Sequence, residues 1–531
     1  MRRAVGGQSA RGPRFQIQAV QDVSRVQTIP APTGGWDALT PRAAMPDVNA
    51  IVLKNVFPQP GYVEIRKGHK RHSVIGASAV ETIMPYHGVT TAGDALFAAC
   101  TTVISNVSVA TASTSMSGLT NARWQHINFS TTGGNFLWCC NGADAPRMYD
   151  GSSWATCAIS GIVASQIVNV AAFKERLWLV RTGNISPAYL NLDSVQGTAT
   201  PFDLTGVFDE GGFLQAIGSW SMDGGAGPDD HIAFVSSRGE CAVYTGTDPA
   251  NNFVLKGVYK MGAPLGRRCI TKVGGDLLVV SIDGLLPLSA ALVTDRAAVI
   301  TATLTKMIQP VMNASARAYR SNFGWQVIAY PRGTRAILNV PITENSEQEQ
   351  YIMNVVTGAW TRFTGENANC WGIYQDRLFY GGNDGAVYEA DCQGYDYNRA
   401  IEIDIQGAFN YCEARGRIKQ FCMGRALLTT DGQVTPGIGL NVDFATDSPT
   451  SPQAFSASQS DLWDVALWDG GTWPVVENII TDWTGVEGAG FCAGFRLTAN
   501  ILAASTASQS DSLLLQLNGF DLLLTDGGMI G

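Results

Sequence analysis

The feature that most constrains the fold is a strand–turn–strand unit that recurs along the chain, and its clearest copy is Tyr351–Asp391. In this stretch an alternating run reaches a turn at Thr357-Gly358, and a second run turns at Asn383-Asp384-Gly385. Such turns accept positive φ angles, and alternation with a period of two buries one face of each hairpin. One unit cannot hide its apolar face alone, so its recurrence predicts stacked or radially arranged antiparallel sheets. An irregular β-sandwich with chance similarities is the alternative interpretation.

Looser copies of the unit lie upstream, between Ile75 and about Ala400, at uneven spacings. They occur at Phe136–Trp154, Phe173–Gly183, His231–Asp248, Gly275–Ser289 and Gln326–Pro341. Four-stranded blades around an axis explain the spacing and the recurrent glycine and aromatic residues better than a barrel does. The sequence therefore predicts a mainly β protein with a β-propeller-like body of repeated antiparallel units over residues 75–394.

The segments outside the repeats differ from them in composition and in predicted structure. Residues 1–28 contain five arginines and one aspartate, which predicts an extended basic N-terminal arm, either a docking arm or a simple tail. Six prolines between residues 29 and 74 disfavour a regular helix or central strand, so we expect an extended docking segment held by tertiary contacts. Longer strands after residue 395 predict a smaller β-sandwich-like domain over residues 395–531.

Charge is distributed unevenly along the chain. The net charge is −9, yet residues 431–531 contain twelve acidic residues against Arg496 as the single basic one. Such a surface repels polyanions, so this region is a poor candidate for tight nucleic-acid binding. A merely acidic, well-solvated domain explains the composition equally well. The basic cluster at Arg66–His72 allows three interpretations: a nucleic-acid site, a solvated strand end, or a surface that pairs with an acidic partner.

Motifs for catalysis, cofactors and metal ions are missing from the sequence. It contains no G-x-S-x-G, no H-E-x-x-H, no P-loop and no dinucleotide-binding glycine motif. The turns Asp150–Trp154 and Trp468–Trp473 are similar to the Asp-box turns of propeller glycosidases, but their spacing differs. Eleven cysteines without C-x-x-C spacing predict reduced, mostly buried thiols, and no apolar run is long enough for a membrane span. We therefore expect neither enzyme activity nor a cofactor or metal ion.

Several stretches, taken in order, resemble the tail hub or nozzle proteins of short-tailed bacteriophages, which are also described as packaged-DNA stabilisation or tail tubular proteins. These stretches are Leu53–His69, Asn141–Trp154, Phe173–Gly183, Ser236–Pro249, Lys260–Ser289 and Tyr351–Phe363. The resemblance implies a homo-hexameric ring of propeller-containing subunits in the virion tail, assembled in the host cytoplasm. The ring would lie below a portal and its adaptor, carry tail fibres or spikes, and close the channel through which double-stranded DNA is ejected.

The resemblance also implies roles for particular residues. The N-terminal segment would dock to neighbouring chains, with candidate assembly contacts at Trp36, Arg66, Lys67, Lys70 and Arg71. Candidate channel-bordering acids are Asp431, Asp443, Asp464 and Asp469. A weakly repulsive wall would let DNA pass without sticking. Two alternatives remain open at this point, a propeller-type glycan hydrolase and a lectin-like receptor-binding tail protein.

Overall fold

The computed structural model describes residues 24–223, 228–291, 296–430, 434, 436–449, 478–480, 482–501 and 514–529. Most of the predicted basic arm therefore lies outside the described residues. The N-terminal segment that follows forms six strands, with a 3-10 turn at Arg42–Ala44 between the second and the third. They are β1 (Ser24–Pro30), β2 (Gly35–Trp36), β3 (Asn49–Lys54), β4 (Val56–Gln59), β5 (Tyr62–Ile65) and β6 (Gly68–Val74).

Antiparallel sheets then follow one another along the chain, and the first four form successive blades. Blade one contains β7 (Val80–Tyr86), β8 (Ala95–Cys100), β9 (Val103–Asn106) and β10 (Ser113–Met116). Blade two contains β11 (Gln125–Thr131), β12 (Gly134–Cys140), β13 (Arg147–Tyr149) and β14 (Trp154–Thr156). After β15 (Ile159–Ser160), blade three contains β16 (Ile167–Phe173), β17 (Arg176–Arg181), β18 (Ala188–Tyr189) and β20 (Thr200–Pro201), with β19 (Gly197–Thr198) pairing to β15. Blade four contains β21 (Leu214–Asp223), β22 (Pro228–Ser236), β23 (Glu240–Thr245) and β24 (Val254–Lys260).

The described residues form three further blades, so that the propeller body has seven blades within the described part of the chain. Blade five has β25 (Ile270–Val273), β26 (Asp276–Ser281) and β27 (Gly284–Pro287), followed by α1 (Leu288–Ala291), α2 (Arg296–Ala302) and α3 (Gln309–Tyr319). Blade six has β28 (Gln326–Tyr330), β29 (Arg335–Thr343), β30 (Glu347–Asn354) and β31 (Trp360–Phe363). Blade seven has β32 (Cys370–Tyr374), β33 (Arg377–Gly381) and β34 (Ala386–Gln393), and its fourth strand is β6 from the N-terminal segment.

The blades form a closed ring. The first strand of each blade contacts the first strand of the next, and β32 of blade seven contacts β7 of blade one. Because neighbouring blades cover both faces of a sheet, inner strands are apolar on both sides, and all six residues of β8 are buried. Adjacent residues of β12 show the same geometry, since Cys139 packs toward blade one and Cys140 toward blade three.

The remaining strands build a two-layered sandwich. They are β35 (Ile401–Asn410), β36 (Arg417–Thr430), β37 (Gly437–Val442), β38 (Asn478–Ile480), β39 (Thr484–Gly490), β40 (Ala493–Ile501) and β41 (Leu515–Met529). One layer combines β36, β38, β39 and β41 with β1, β4 and β5, and the other combines β35, β37 and β40 with β2 and β3. Apolar residues from both layers, such as Phe421, Leu522, Ile405 and Phe495, share one core.

The predicted fold class is confirmed, because the chain is mainly β and carries a propeller body with a sandwich beside it. The segment predicted as an extended docking segment over residues 29–74 docks within its own chain, where it adds strands to both sandwich layers and to blade seven. Among the helices that the described residues form, none has the length and apolar character that a membrane crossing requires.

Candidate functional site

Two of the predicted assembly contacts are internal. Trp36 is 8% exposed, and its ring packs edge-on against Tyr351 with 5.6 Å between the ring centroids. Arg66 is fully buried, at 0% exposure. Neither side chain is available to another chain, so the structure corrects the surface role expected for Trp36 and Arg66. The physical reason is that Trp36 packs against Tyr351 of blade six, while Arg66 is enclosed with its acidic partners Glu366 and Asp396.

The other three predicted contacts are exposed. Lys67, Lys70 and Arg71 lie on or just before β6, at the outer edge of blade seven. The Lys70 Nζ atom lies 3.3 Å from Oε2 of Glu389, and the Arg71 guanidinium lies 4.9 Å from the ring centroid of Tyr397. Exposed ion pairs contribute little to stability, so these basic side chains remain available at the surface.

Of the predicted channel-bordering acids, Asp443 alone lies among the described residues. Asp431, Asp464 and Asp469 lie outside the described residues. Asp443 is exposed, and its Oδ1 accepts hydrogen bonds from the backbone N–H groups of Phe491 at 2.8 Å and Cys492 at 3.3 Å. The Asp443 carboxylate therefore holds a turn of the sandwich in place.

A buried ion cluster centred on Arg66 joins three segments of the chain. Arg66 Nη1 and Nη2 donate to Oδ1 and Oδ2 of Asp396 at 2.8 and 2.5 Å. Nη1 also lies 3.4 Å from Oε1 of Glu366, and Nε donates to Oδ1 of Asn55 at 3.0 Å. Nη2 further donates to the carbonyl oxygen of Thr364 at 3.1 Å. The guanidinium thus ties the N-terminal segment to the loop after blade six and to the linker after blade seven.

Burial and opposite charge act against each other in this cluster. Burial alone would lower the pKa of Arg66, but Glu366 and Asp396 raise that pKa above its ordinary value. Burial would raise the pKa of the Asp396 carboxyl, yet the neighbouring Arg66 holds it at about 2. For Glu366 burial prevails over the attraction of Arg66, and the pKa is raised. Asp396 is therefore the main counter-ion of Arg66, and Glu366 is the weaker partner.

His69 completes the cluster and raises the question of a metal ion. Its Nδ1 lies 3.1 Å from Oδ1 of Asp396 and 4.0 Å from Oε1 of Glu366. In the described part of the chain these three side chains are close enough to share a cation. However, Arg66 occupies both oxygens of Asp396, and a metal ion there would place a second positive charge against the guanidinium. The donor set therefore fits an internal ion pair and not a metal ion.

A cavity of about 220 Å³ opens beside the cluster. Tyr380 and Tyr388 stack in its wall with 5.0 Å between ring centroids, and the Tyr388 hydroxyl donates to Oδ2 of Asp384 at 2.6 Å. Burial is the main cause that raises the pKa of Tyr388, so its hydroxyl stays protonated and remains a donor. These rings pack against each other and stabilise blade seven, and among the described residues of the wall Asp384 is the single carboxylate.

Sequence reasoning identified Arg66 but not its counter-ions. Glu366 lies in the stretch Gly365–Asn369 and Asp396 in the stretch Gly394–Asn398, and both stretches have the composition of ordinary turns. The two acids are 300 and 330 positions away from Arg66 along the chain. No local spacing connects them, because the pairing arises only when the ring closes.

The closed ring of blades defines a β-propeller protein. Among solved structures, YCF48 bound to D1 peptide is similar to this chain at 10% identity and a TM-score of 0.38, over 65% of this chain and 99% of that one. YCF48 from Cyanidioschyzon merolae is similar at 11% identity and a TM-score of 0.35, over 61% of this chain and 98% of that one. No protein-family model and no curated protein matches the chain.

The tail nozzle or hub function expected from the sequence is wrong. The two solved structures named above are YCF48 propellers and not phage tail proteins. The expectation rested on strand–turn–strand stretches in a particular order, and such stretches are what the blades of any propeller require. The alternative of a receptor-binding tail protein is set aside with it, whereas the comparisons do not test the alternative of a glycan hydrolase.

Proposed function

We propose that this protein is a rigid, non-catalytic building block that associates with copies of itself. The observation that carries the proposal is the position of β3, which has a propeller strand on one edge and a sandwich strand on the other. Lys54 pairs with Arg362 of β31 in blade six, and residues 50–54 pair with β35 of the sandwich. One sheet therefore runs through both bodies.

Asn55, directly after β3, reinforces this junction. Its backbone N–H donates to the carbonyl oxygen of Arg362 at 2.8 Å, and its Nδ2 donates to the carbonyl oxygen of Glu402 at 2.8 Å. Its φ of 57° lies in the left-handed region, which asparagine tolerates better than most residues. A hinge between the two bodies would break these bonds and open the Arg66 cluster. A body without a hinge is suited to holding partners at fixed positions, whereas many enzymes need a closing motion.

The buried carboxylates also support a structural role. Within the described ranges each of them has a partner inside the fold, and most are bound to arginine. The pairs are Glu349 with Arg362, Glu366 and Asp396 with Arg66, Glu389 with Arg377, and Asp521 with Arg425, while Asp37 and Glu240 accept hydrogen bonds from Asn49 and from backbone N–H groups respectively. A general acid or base must lie within hydrogen-bond reach of a substrate, and buried carboxylates that are engaged inside the fold do not meet that requirement.

The outer edge of blade four supports self-association. Strand β24 pairs with β23, and its other edge pairs with no strand of the described residues. Val254 and Leu255 at its start are 56% and 41% exposed. Natural β proteins usually protect such edges with charge or a cover, because an open apolar edge pairs with other chains. Lys256 and Lys260 charge the rest of β24, so the open apolar part of this edge is its start. An edge-to-edge contact with a second copy would cover these residues.

Charging this edge is expected to weaken the association. In the double variant Val254→Lys with Leu255→Lys, two like charges oppose pairing, so we expect the dissociation constant of the oligomer to rise about tenfold or more. Sedimentation velocity of the full chain over a wide range of concentrations measures the change. Val89→Lys is the matched control, because Val89 is 90% exposed in the loop after β7 and belongs to no strand.

The wild type and the control should sediment as the same oligomer, and the edge variant as a smaller species. A wild type that stays monomeric at every concentration would contradict self-association. Turnover of a glycan by the purified chain, lost on substitution of one carboxylate, would contradict the non-catalytic role.

A further inference from the structure

A cavity of about 230 Å³ lies on the axis of the propeller. Its wall takes residues from all seven blades, mostly near the points where the innermost strands begin. The polar members of the wall are Gln125, His126, Asn169, Arg267, Arg268 and Gln326. None of the described residues that line it is acidic. The cavity therefore carries positive charge without a counter-ion in its wall.

Arg268 is held rigidly at one side of this cavity. Its Nη2 donates to the carbonyl oxygens of Glu81 and Trp124, both at 3.0 Å, and to Oγ1 of Thr82 at 2.8 Å. Its Nη1 is buried and has no hydrogen-bond partner among the described residues. A buried guanidinium with an unused donor lacks part of the compensation that a buried charge requires.

The carboxylate of Glu81 does not compensate the charge of Arg268. The backbone oxygen of Glu81 accepts from Arg268, but the Glu81 carboxylate is engaged elsewhere, with Oε1 3.1 Å from Nε of Arg123. Burial lowers the pKa of both Arg267 and Arg268, which is the direction expected for cations that lack a nearby anion.

Two further polar side chains face the same space. Gln125 is 6% exposed, and its Nε2 has no hydrogen-bond partner in the described part of the chain. Burial, together with the charge of Arg268, lowers the pKa of His126 to about 3, so the imidazole is neutral near neutral pH. The cavity thus combines two guanidinium groups with free N–H donors, a combination that recognises oxyanions.

We propose that the central cavity binds a small oxyanion, a carboxylate or a phosphate group, between Arg267 and Arg268. The space is adequate for such a group together with water, because one water molecule takes about 30 Å³. Arg267 and Arg268 supply charge-assisted donors, and Gln125 supplies an amide donor. The anion site is separate from the edge of blade four. The test of anion binding can therefore fail while the test of self-association succeeds, and the reverse.

The test is isothermal titration calorimetry of the full chain at low ionic strength with inorganic phosphate and, separately, with acetate. Arg267→Gln is the main variant, because the Arg267 side chain makes no hydrogen bond to the described residues and its loss should leave the fold intact. We expect anion affinity to fall about tenfold or more, as loss of a charge-assisted hydrogen bond implies. Arg317→Gln, an exposed position on α3, is the control and should bind as the wild type does.

A second readout follows His126 directly. Selective ¹³C labelling of histidine and assignment by His126→Gln allow its titration to be followed by NMR. An anion in the cavity should raise the pKa of His126, because it offsets the charge of Arg268. Binding of phosphate alone identifies a phosphate site, and binding of acetate identifies a carboxylate site. No binding of either anion, or equal affinity in Arg267→Gln and the wild type, would overturn the proposal.

Discussion

Asp396→Asn is expected to lower the free energy of unfolding by about 3–5 kcal/mol, because it leaves the buried guanidinium of Arg66 without its main counter-ion. Asp396 accepts from Arg66 at 2.8 and 2.5 Å, and both side chains are fully buried. The amide keeps the shape of the carboxylate but loses its charge and turns one acceptor into a donor that faces the guanidinium. Equilibrium unfolding in urea at neutral pH, followed by tryptophan fluorescence, measures the loss.

Two substitutions of the same kind serve as controls. Glu366→Gln should cost clearly less, because Glu366 lies 3.4 Å from Arg66 and burial already raises its pKa. Glu402→Gln removes the partner of Lys54 in a solvent-exposed pair and should cost about 1 kcal/mol or less. Equal losses for the three variants would contradict the role assigned to Asp396.

The ion pair of Arg66 and Asp396 predicts that the free energy of unfolding depends on pH. The pKa of Asp396 is about 2 in the folded protein, below its ordinary value of 3.8. The ionised carboxylate therefore contributes stability that is present above about pH 4 and is lost as the pH falls through about 2. The difference in stability between the wild type and Asp396→Asn should shrink over that window. A difference that stays constant down to pH 2 would show that the charge of Asp396 is not the cause.

Gly68→Ala is expected to lower the free energy of unfolding by about 3 kcal/mol through overpacking against backbone. Gly68 begins β6 and lies opposite Gln393 in blade seven. A Cβ at this position would overlap the carbonyl group of Tyr395. That carbonyl is held by the Gln393 side chain, which donates to it at 3.0 Å. The closing strand and the linker to the sandwich would have to move apart, and thermal unfolding of the variant measures the cost.

Gly485→Ala is the matched control for this prediction. Gly485 also lies in a strand, β39, but a Cβ there would meet no atom within 4 Å. We expect a change within about 0.5 kcal/mol, as for most surface substitutions. If Gly68→Ala were as stable as Gly485→Ala, the close approach of β6 to the linker would not be a real constraint on ring closure.

The hairpins were predictable from the sequence because alternation and turn residues are local properties. The stretch Tyr351–Asp391 forms the outer hairpin of blade six and the first three strands of blade seven. Gly385 in its second turn has a φ of 77°, and a Cβ there would overlap the carbonyl oxygen of Gly76. Glycine at this turn was therefore a reliable signal for both the turn and a close approach.

The closure of the ring was not predictable in the same way. Strand β6, Gly68–Val74, consists largely of basic and polar residues, and its partner β34 lies more than 300 positions further along the chain. Only the tertiary arrangement shows that its polar side chains lie at the outer edge of a blade. The route of the N-terminal segment through the sandwich was hidden for the same reason, since strand pairing over such distances leaves no local pattern.

The number of charged residues in a stretch predicted the exposure of some side chains correctly and that of others incorrectly. Within the basic cluster Arg66–His72, Lys67 and Lys70 are exposed, whereas Arg66 is fully buried. Arg66 lies between β5 and β6, so neither its charge nor the alternation of a strand predicts that it faces the interior. Asp443 is exposed, as its charge predicts, but charge does not predict that its carboxylate binds backbone N–H groups of a turn.

Hydrogen–deuterium exchange of the native full chain is the most direct measurement of the central claim that propeller and sandwich form one rigid unit. Strands β3 and β6 carry that claim, because they join the two bodies and close the ring. We expect the hydrogen-bonded amides of residues 49–54 and 68–74 to be protected as strongly as those of the innermost strands β7 and β32 and to exchange only with global unfolding. Rapid exchange of these residues while the blades stay protected would show that the junction opens independently, and it would contradict the account.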